Sequence, residues 1–308
     1  MSEQVDVSIV IISYNTRDFI VPCLRSLYQE TTEVSFEVIV LDNQSDDGSC
    51  DAIESEFPQV RLIRHDANAG FARGNNIAAE QARGRRILLL NPDTLILDHA
   101  IDRLVAFADE NPSNRIWGGK HLFGDRSLNT HNCWGDYSLW TVFLVAFALP
   151  TVFPNSALFN PRGYPKYDRS TVYQVDAITG CYLLIDTDLW NQLEGFAEEF
   201  FMFAEEVDLC RRARDLGAQP LITPESVIVH YGGGSTPIRS EDRSVQLLKA
   251  ERQYFKKHFG AVQAPIATAL QDLRILLRSG LTGFMRLFRK RSESNFYAKL
   301  WRRRAEWA

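Results

Sequence analysis

The chain has 308 residues, 45% hydrophobic and 24% charged. That length and balance exclude a fibrous, disordered or disulfide-scaffold protein and allow one large domain or two small ones. The net charge of −5 hides an asymmetry: from Gln271 onward ten Lys/Arg stand against three Asp/Glu, leaving about −12 for everything before it, so an acidic body carries a basic attachment segment. The five cysteines are scattered, odd in number and without a CxxC pair. They predict free thiols in a reducing cytoplasm. The polar start, Met-Ser-Glu-Gln-Val-Asp, does not read as a signal peptide. The most apolar run, Leu139 to Phe153, is broken by Pro150 and too short for a standard transmembrane helix; it reads as a core or interfacial helix, with a membrane-contacting surface as the alternative.

In chain order, Val7 to Ile12 is a continuous apolar, β-branched run, as expected of a strand covered on both faces. It stops at Ser13-Tyr14-Asn15-Thr16. Arg17 to Tyr28 carries apolar residues at helical spacing. Phe36 to Leu41 is a second strand, ending in Asp42-Asn43-Gln44-Ser45-Asp46-Asp47-Gly48-Ser49. A short helix from about Cys50 to Glu56, a strand at Val60 to Arg64, a helix at Gly70 to Arg83 and a strand at Arg86 to Leu90 follow. The fourth strand ends abruptly in Asn91-Pro92-Asp93. Further on come a strand at Ala177 to Asp186, a helix from Glu206 to Leu216, a strand at Ser226 to His230 and a polar helix from about Ser240 to Phe259. The stretch Gly124 to Val172, rich in aromatics, Pro and Asn, yields no clear elements. Alternating strands and helices with short links predict a parallel α/β sheet. Its polar strand ends gather at one edge, where open α/β folds bind ligands.

The clusters at that edge suit a nucleotide. There is no GxGxxG after the first strand, so the usual dinucleotide fingerprint is absent. Ser13, Tyr14 and Asn15 with Asp42, Asn43 and Ser45 offer an aromatic ring, an acid and amides for a base and ribose. Either cluster alone is also ordinary turn chemistry; their pairing on adjacent strand ends favours a site. Asp93, the acidic cluster Glu205-Glu206-Val207-Asp208 and His230 are the parts of a metal-assisted transfer from a phosphorylated donor. Helix N-terminal acid enrichment is the bland account of the acidic cluster.

The ordered set of motifs resembles the inverting family-2 glycosyltransferases of the GT-A fold, in particular rhamnosyltransferase-like members. The residues that carry it, over roughly 5 to 240, are Val7 to Asn15, Asp42 to Ser49, Asn68-Ala69-Gly70-Phe71-Ala72-Arg73-Gly74-Asn75-Asn76, Leu90 to Asp93, Thr179-Gly180-Cys181, Phe203 to Cys210 and His230 to Ser235. The resemblance implies a Rossmann-like mixed α/β sheet flanked by helices over 1–262, with a helical C-terminal extension over 263–308. It implies that Asp42 bonds the donor base, with Ser13, Tyr14, Asn15, Asn43, Ser45, Arg73, Asn76 and Asn91 around the donor nucleotide. Asp93 would face a divalent cation, Mg²⁺ or Mn²⁺, and His230 would be a second ligand or a diphosphate contact. The glycines Gly232 to Gly234 would let backbone approach the diphosphate. Glu206 would be the catalytic base, and Trp117, Gly180 and Glu205 would shape the acceptor side.

Two positions depart from the pattern. Asn91-Pro92-Asp93 has one carboxylate where the family's DxD has two. Glu206 stands where the family has Asp, and its extra methylene moves the carboxylate by about 1.5 Å.

The implied reaction moves a sugar, first choice rhamnose from dTDP-rhamnose, to a hydroxyl of a glycan or polyprenyl-diphosphate-linked acceptor in cell-envelope polysaccharide synthesis. UDP-galactofuranose, UDP-GlcNAc and other UDP-hexoses remain open as donors. So do a non-catalytic glycan- or membrane-binding subunit and a nucleotidyltransferase, the last without the Gly-rich basic phosphate loop it would need.

In the tail, Leu273, Leu276, Leu277, Leu281, Phe284, Leu287 and Phe288 share one helical face, and Arg274, Arg278, Arg286, Arg289 and Lys290 the other. Ile275 and Arg291 are exceptions. Phe296, Tyr297, Trp301 and Trp307 interleave with Lys299 and Arg302 to Arg304. A basic amphipathic helix with aromatics reads as an anchor on the anionic inner face of the cell membrane, with no nucleic-acid partner. Packing on the catalytic domain, or on a second copy in a homodimer, is the alternative.

Overall fold

The computed structural model describes residues 5–232, 240–286 and 296–308. Elements run β1 (Val7–Ser13), α1 (Arg17–Glu30), β2 (Phe36–Asp42), α2 (Ser49–Glu56), β3 (Arg61–Arg64), α3 (Gly70–Ala79), β4 (Arg86–Leu90), β5 (Thr94–Ile96), α4 (Ala100–Glu110) and β6 (Ile116–Leu122). Next are β7 (Leu128–Asn129), β8 (Cys133–Trp134), α5 (Leu139–Ala146), α6 (Leu149–Val152), β9 (Tyr173–Gln174), β10 (Ala177–Ile178) and β11 (Tyr182–Asp186). Then follow α7 (Thr187–Gln192), α8 (Glu205–Asp215), β12 (Leu221–His230), α9 (Glu241–His258), α10 (Gln263–Arg286), α11 (Phe296–Arg302) and α12 (Arg304–Trp307).

The compact units do not divide at 262. The described residues within 1–134, 167–201 and 205–237 form one unit, and those within 135–166, 202–204 and 238–308 form the other.

The first unit holds a mixed sheet in the order β3-β2-β1-β4-β11-β6-β12-β5. β3, β2, β1 and β4 are parallel, as the strand–helix alternation predicts. β11 then runs antiparallel between β4 and β6, and β5 antiparallel against β12. β1 and β4 are buried along their whole length, which is why their sequences are unbroken apolar runs. The core draws on β1, β2, β4, α1 and α4, with Trp117 and Tyr182 among its large side chains. The sequence reading passed over β5, α4 and β6.

In the second unit, Val245, Leu248, Ile275, Leu300 and Trp307 form the core. A polar stripe of α10 also faces inward. Arg274 pairs with Glu251 at 2.6 Å, and Gln271 donates to Glu251 at 2.7 Å. Arg252 pairs with Asp272, which also holds Arg304 at 2.7 Å. α10 runs through Gly280 and Gly283 without a break. Leu287, Phe288, Arg289, Lys290 and Arg291 lie outside the described residues, as does the side chain of Arg286.

Gly119 sits where β6 passes β12 and β11. A methyl group there would meet Ser226 O well inside van der Waals distance and lie 2.8 Å from Tyr182 Cε1. Backbone cannot yield as a flexible side chain can, so Gly119→Ala is expected to cost about 3 kcal/mol, the upper range for overpacking. A thermal melt should show a drop of several degrees.

Candidate functional site

Three strand ends and two loops build the site. Pairing of β11 with β4 places Tyr182 opposite Leu90. Asn91 N–H accordingly donates to Cys181 O at 3.0 Å. Pairing of β12 with β5 places His230 opposite Thr94, and Tyr231 N–H donates to Asp93 O at 3.0 Å. These two backbone bonds bring Asn91, Asp93, Cys181 and His230 together. His230 Nε2 lies 3.4 Å from Asp93 Oδ1 and 3.5 Å from Asn91 Nδ2. Gly180, next to Cys181, abuts both Phe71 and Glu206: a Cβ at Gly180 would lie 3.2 Å from Phe71 and 3.7 Å from Glu206 Cβ. Glu206 Cβ thus lies against Gly180, the residue before Cys181.

Asp93 and His230 fit a divalent cation. A hard ion bound at about 2.1 Å by two adjacent ligands holds them about 3 Å apart, close to the separation of Asp93 and His230. Burial opposes charge on the His230 imidazole, but Cys181 and Asp93 outweigh it and push its pKa up to about 11. Without a metal the ring therefore holds its proton, which a cation would have to displace.

At the other end of the edge, the two turns after β1 and β2 are tied together. Ser45 Oγ accepts from Asn15 N–H at 2.8 Å, and Asn15 Oδ1 from Asp46 N–H at 2.9 Å. Asp42 Oδ1 accepts from Ser45 N–H at 2.8 Å, while Asp42 Oδ2 is buried with no hydrogen-bond partner. A buried carboxylate oxygen left unmatched is costly, and it can accept from a ligand N–H. Tyr14 is exposed, and its chain neighbour Ser13, which pairs in register with Asp42, is buried against Thr16.

Several expected donor residues hold loops. Asn43 donates to Gly70 O at 3.1 Å and accepts from Ala69 N–H at 3.2 Å, fixing the start of α3. Asn76 bonds both backbone groups of Phe196, at 2.8 and 2.9 Å. Arg73 is exposed and 3.9 Å from Glu198. Trp117 is a correction: its side chain is fully buried in the core and its indole N–H donates to Asn111 O, so it does not line an acceptor face. Gly233 and Gly234 lie outside the described residues.

α8 presents the acids. Asp208 pairs with Arg212 at 2.7 Å, and Arg212 also donates to Leu193 O and Gly195 O. The preceding Phe203 and Ala204 take left-handed φ of 74° and 65°, a conformation non-glycine residues adopt at some cost. Glu205 is buried with Oε2 unpartnered. Desolvation, then Glu206 and Asp208, hold its carboxyl well above the usual range.

Sequence reasoning missed His121. It is fully buried on β6, with Nδ1 3.8 Å from Cys181 Sγ and its ring 6.1 Å from that of His230. Its strand was hidden by the Gly118-Gly119 pair.

Comparison with known proteins agrees with this layout. A sequence model of glycosyl transferase family 2 matches residues 8–185. The O-antigen biosynthesis protein RfbC of Myxococcus xanthus is 24% identical over 234 residues, 74% of this chain; the match spans 17% of RfbC. The N-acetylglucosaminyl-diphospho-decaprenol L-rhamnosyltransferase of Mycobacterium tuberculosis is 25% identical over 302 residues, 89% of this chain and 91% of that protein. Among solved structures, GalNAc-T7 with UDP, GalNAc and Mn²⁺ superposes with a TM-score of 0.59 at 14% identity, covering 82% of this chain and 48% of that one. The fold is GT-A, as the motifs implied.

A group whose folded pKa is raised gives stability that is full below its unfolded pKa and fades as pH rises toward the folded one. For Glu205 that loss begins above 4.5, its ordinary value. Glu205→Gln removes the titration. The variant should melt higher than the parent at pH 8, with the gap narrowing toward pH 4.5. A pH series of melting temperatures checks this, and an equal gap at both ends would contradict it.

Proposed function

The chain belongs to glycosyl transferase family 2, and from that premise we propose that it transfers a sugar with inversion from a nucleoside-diphosphate donor to a glycan hydroxyl. The observation that supports this reading is the Asp93–His230 pair at the strand ends, with Glu206 against Gly180, the chain neighbour of Cys181.

Each residue has a task in that scheme. The unpartnered Asp42 Oδ2 accepts from a base N–H. Uracil and thymine offer an N–H at the ring position where cytosine has an acceptor, so a UDP or dTDP donor is supported. Tyr14 offers a stacking face. Asp93 and His230 would hold a Mg²⁺ or Mn²⁺ ion, which would offset the charge of the departing diphosphate. Glu206 takes the proton of the acceptor hydroxyl as its oxygen bonds the anomeric carbon, and the bond to the diphosphate oxygen breaks on the opposite face. dTDP-rhamnose and a polyprenyl-diphosphate-linked acceptor are the first choice, supported by the M. tuberculosis relative's name.

Glu206→Gln keeps size and removes basicity. It should lower kcat by about 10²–10⁴ while keeping the melting-temperature rise given by the true donor nucleotide. A panel of dTDP, UDP, GDP and their sugars, with and without Mn²⁺, identifies that nucleotide. Full transfer by the variant would remove Glu206 from the role. No shift with any nucleotide, in a folded sample, would favour the non-catalytic subunit.

The second unit supports a membrane-bound site of action, on a basis that revises the sequence reading. Trp307 is buried in that unit's core, so it is no anchor. Lys299, Arg303 and Arg304 are paired with Glu241, Asp242 and Asp272. The exposed apolar surface lies elsewhere. Leu276, Leu277, Leu281 and Phe284 face outward on α10, and Trp140, Phe143 and Phe147 on α5, which packs against α10. Among the described residues no helix is long and apolar enough to cross a membrane. An interfacial site on anionic lipid fits that surface, and it would place the enzyme beside a lipid-linked acceptor. The double variant Leu281→Glu, Phe284→Glu should lose flotation with anionic vesicles while keeping its melting temperature. Unchanged flotation would reject this face, and a monomer–dimer change instead would assign it to a second copy.

A further inference from the structure

Behind the Asp93–His230 pair lies a donor set of a different chemical kind. His121, Cys181 and His230 each offer one ligand atom, and these atoms all lie within 4.8 Å of one another. His121 and Cys181 are buried, and so are Asp93 and most of His230. One edge of the group is already short: Cys181 Sγ to His121 Nδ1 at 3.8 Å. Tetrahedral zinc, with bonds of about 2.0–2.1 Å to nitrogen or oxygen and 2.3 Å to sulfur, has edges of about 3.4–3.6 Å.

We propose that His121, Cys181 and His230 form a zinc site that takes His230 away from Asp93 and shuts off transfer when filled. Two imidazoles and a thiolate are borderline-soft donors, which select Zn²⁺ over Mg²⁺ and Mn²⁺. A second observation points the same way. His121 Nε2 is buried without a hydrogen-bond partner, a state costly to maintain, while Nδ1 already faces Cys181 Sγ. On binding, the Cys181 thiol and the His230 imidazolium each release a proton to solvent. Zinc would claim His230 and break the Asp93–His230 pair proposed for the cation of the donor diphosphate. Only this inhibitory consequence rests on the proposed roles of Asp93 and His230; the binding itself does not.

The test uses Co²⁺ as a spectroscopic stand-in for Zn²⁺ on the full chain. One Co²⁺ per chain should give the intense visible bands of a tetrahedral site and a near-ultraviolet sulfur-to-cobalt charge-transfer band, both erased by stoichiometric Zn²⁺. Cys181→Ser should lose the charge-transfer band. Cys181→Ser and His121→Gln should each weaken Zn²⁺ binding at least about tenfold, the lower bound seen when even an outer partner of a metal site is lost. Zn²⁺ inhibition of Mn²⁺-supported transfer should shift to higher concentration by the same factor in Cys181→Ser. A melting-temperature rise with the donor nucleotide shows that each variant is folded. No charge-transfer band in the parent chain, or an unchanged band in Cys181→Ser, overturns the zinc site and leaves the glycosyltransferase reading intact. Failure of the nucleotide to bind, with the cobalt bands present, does the reverse.

Discussion

The site depends on strand register at the junction where the sheet changes direction. β11 and β5 run against their neighbours, and each carries one side of the site to the other. Asn91 N–H to Cys181 O and Tyr231 N–H to Asp93 O, both 3.0 Å, are the bonds that fix this. Side chains alternate faces along a strand, so a slip of one residue would turn His230 away from Asp93. Slippage is opposed by burial: β4 is enclosed at all five positions, and β11 at four of five. The cost of moving a whole apolar set out of the core therefore guards the placement of a few polar groups at its end.

Loops that sequence alone assigns to ligand binding share this task. Asn43 and Asn76 spend their amides on backbone, the first on the 69–70 turn and the second on Phe196. Gly70 takes φ +79° and has Phe201 O where a side chain would start, so only glycine admits that close approach. Arg212 ties α8 to the 193–195 turn while neutralising the buried Asp208. The effect is to hold Glu206 on a stiff helix start. Positioning of that kind matters because proton transfer demands hydrogen-bond distance at the moment of reaction.

Legibility in the sequence followed a physical divide. The parallel half of the sheet was readable because double burial writes itself as unbroken Val, Ile and Leu runs, and because its strands end in abrupt polar clusters. β5 is three residues long, and β6 carries two glycines where other chains press close; neither leaves a period to detect. His121 was hidden with β6. The difference between a clamping Asn and a ligand-binding Asn is not written in local sequence, since both need the same amide in the same kind of turn. Trp117 shows the same limit: its neighbours in the chain say nothing of the Asn111 carbonyl that its indole meets.

The helical wheel of α10 separated an apolar from a basic stripe and could not say which faces in. Hydrophobicity alone would bury the leucines. Instead Gln271, Arg274 and Ile275 turn inward, toward Glu251 and the small core around Trp307. A buried ion pair is a weak source of stability, because desolvating its charges offsets much of their attraction. Leaving Leu276, Leu277, Leu281 and Phe284 in water forgoes the larger gain that burying them would bring. An isolated unit would do better with the stripes exchanged. The observed choice is economical only if something apolar covers the outer stripe, and a helix lying on a bilayer with its charges paired behind it meets that condition.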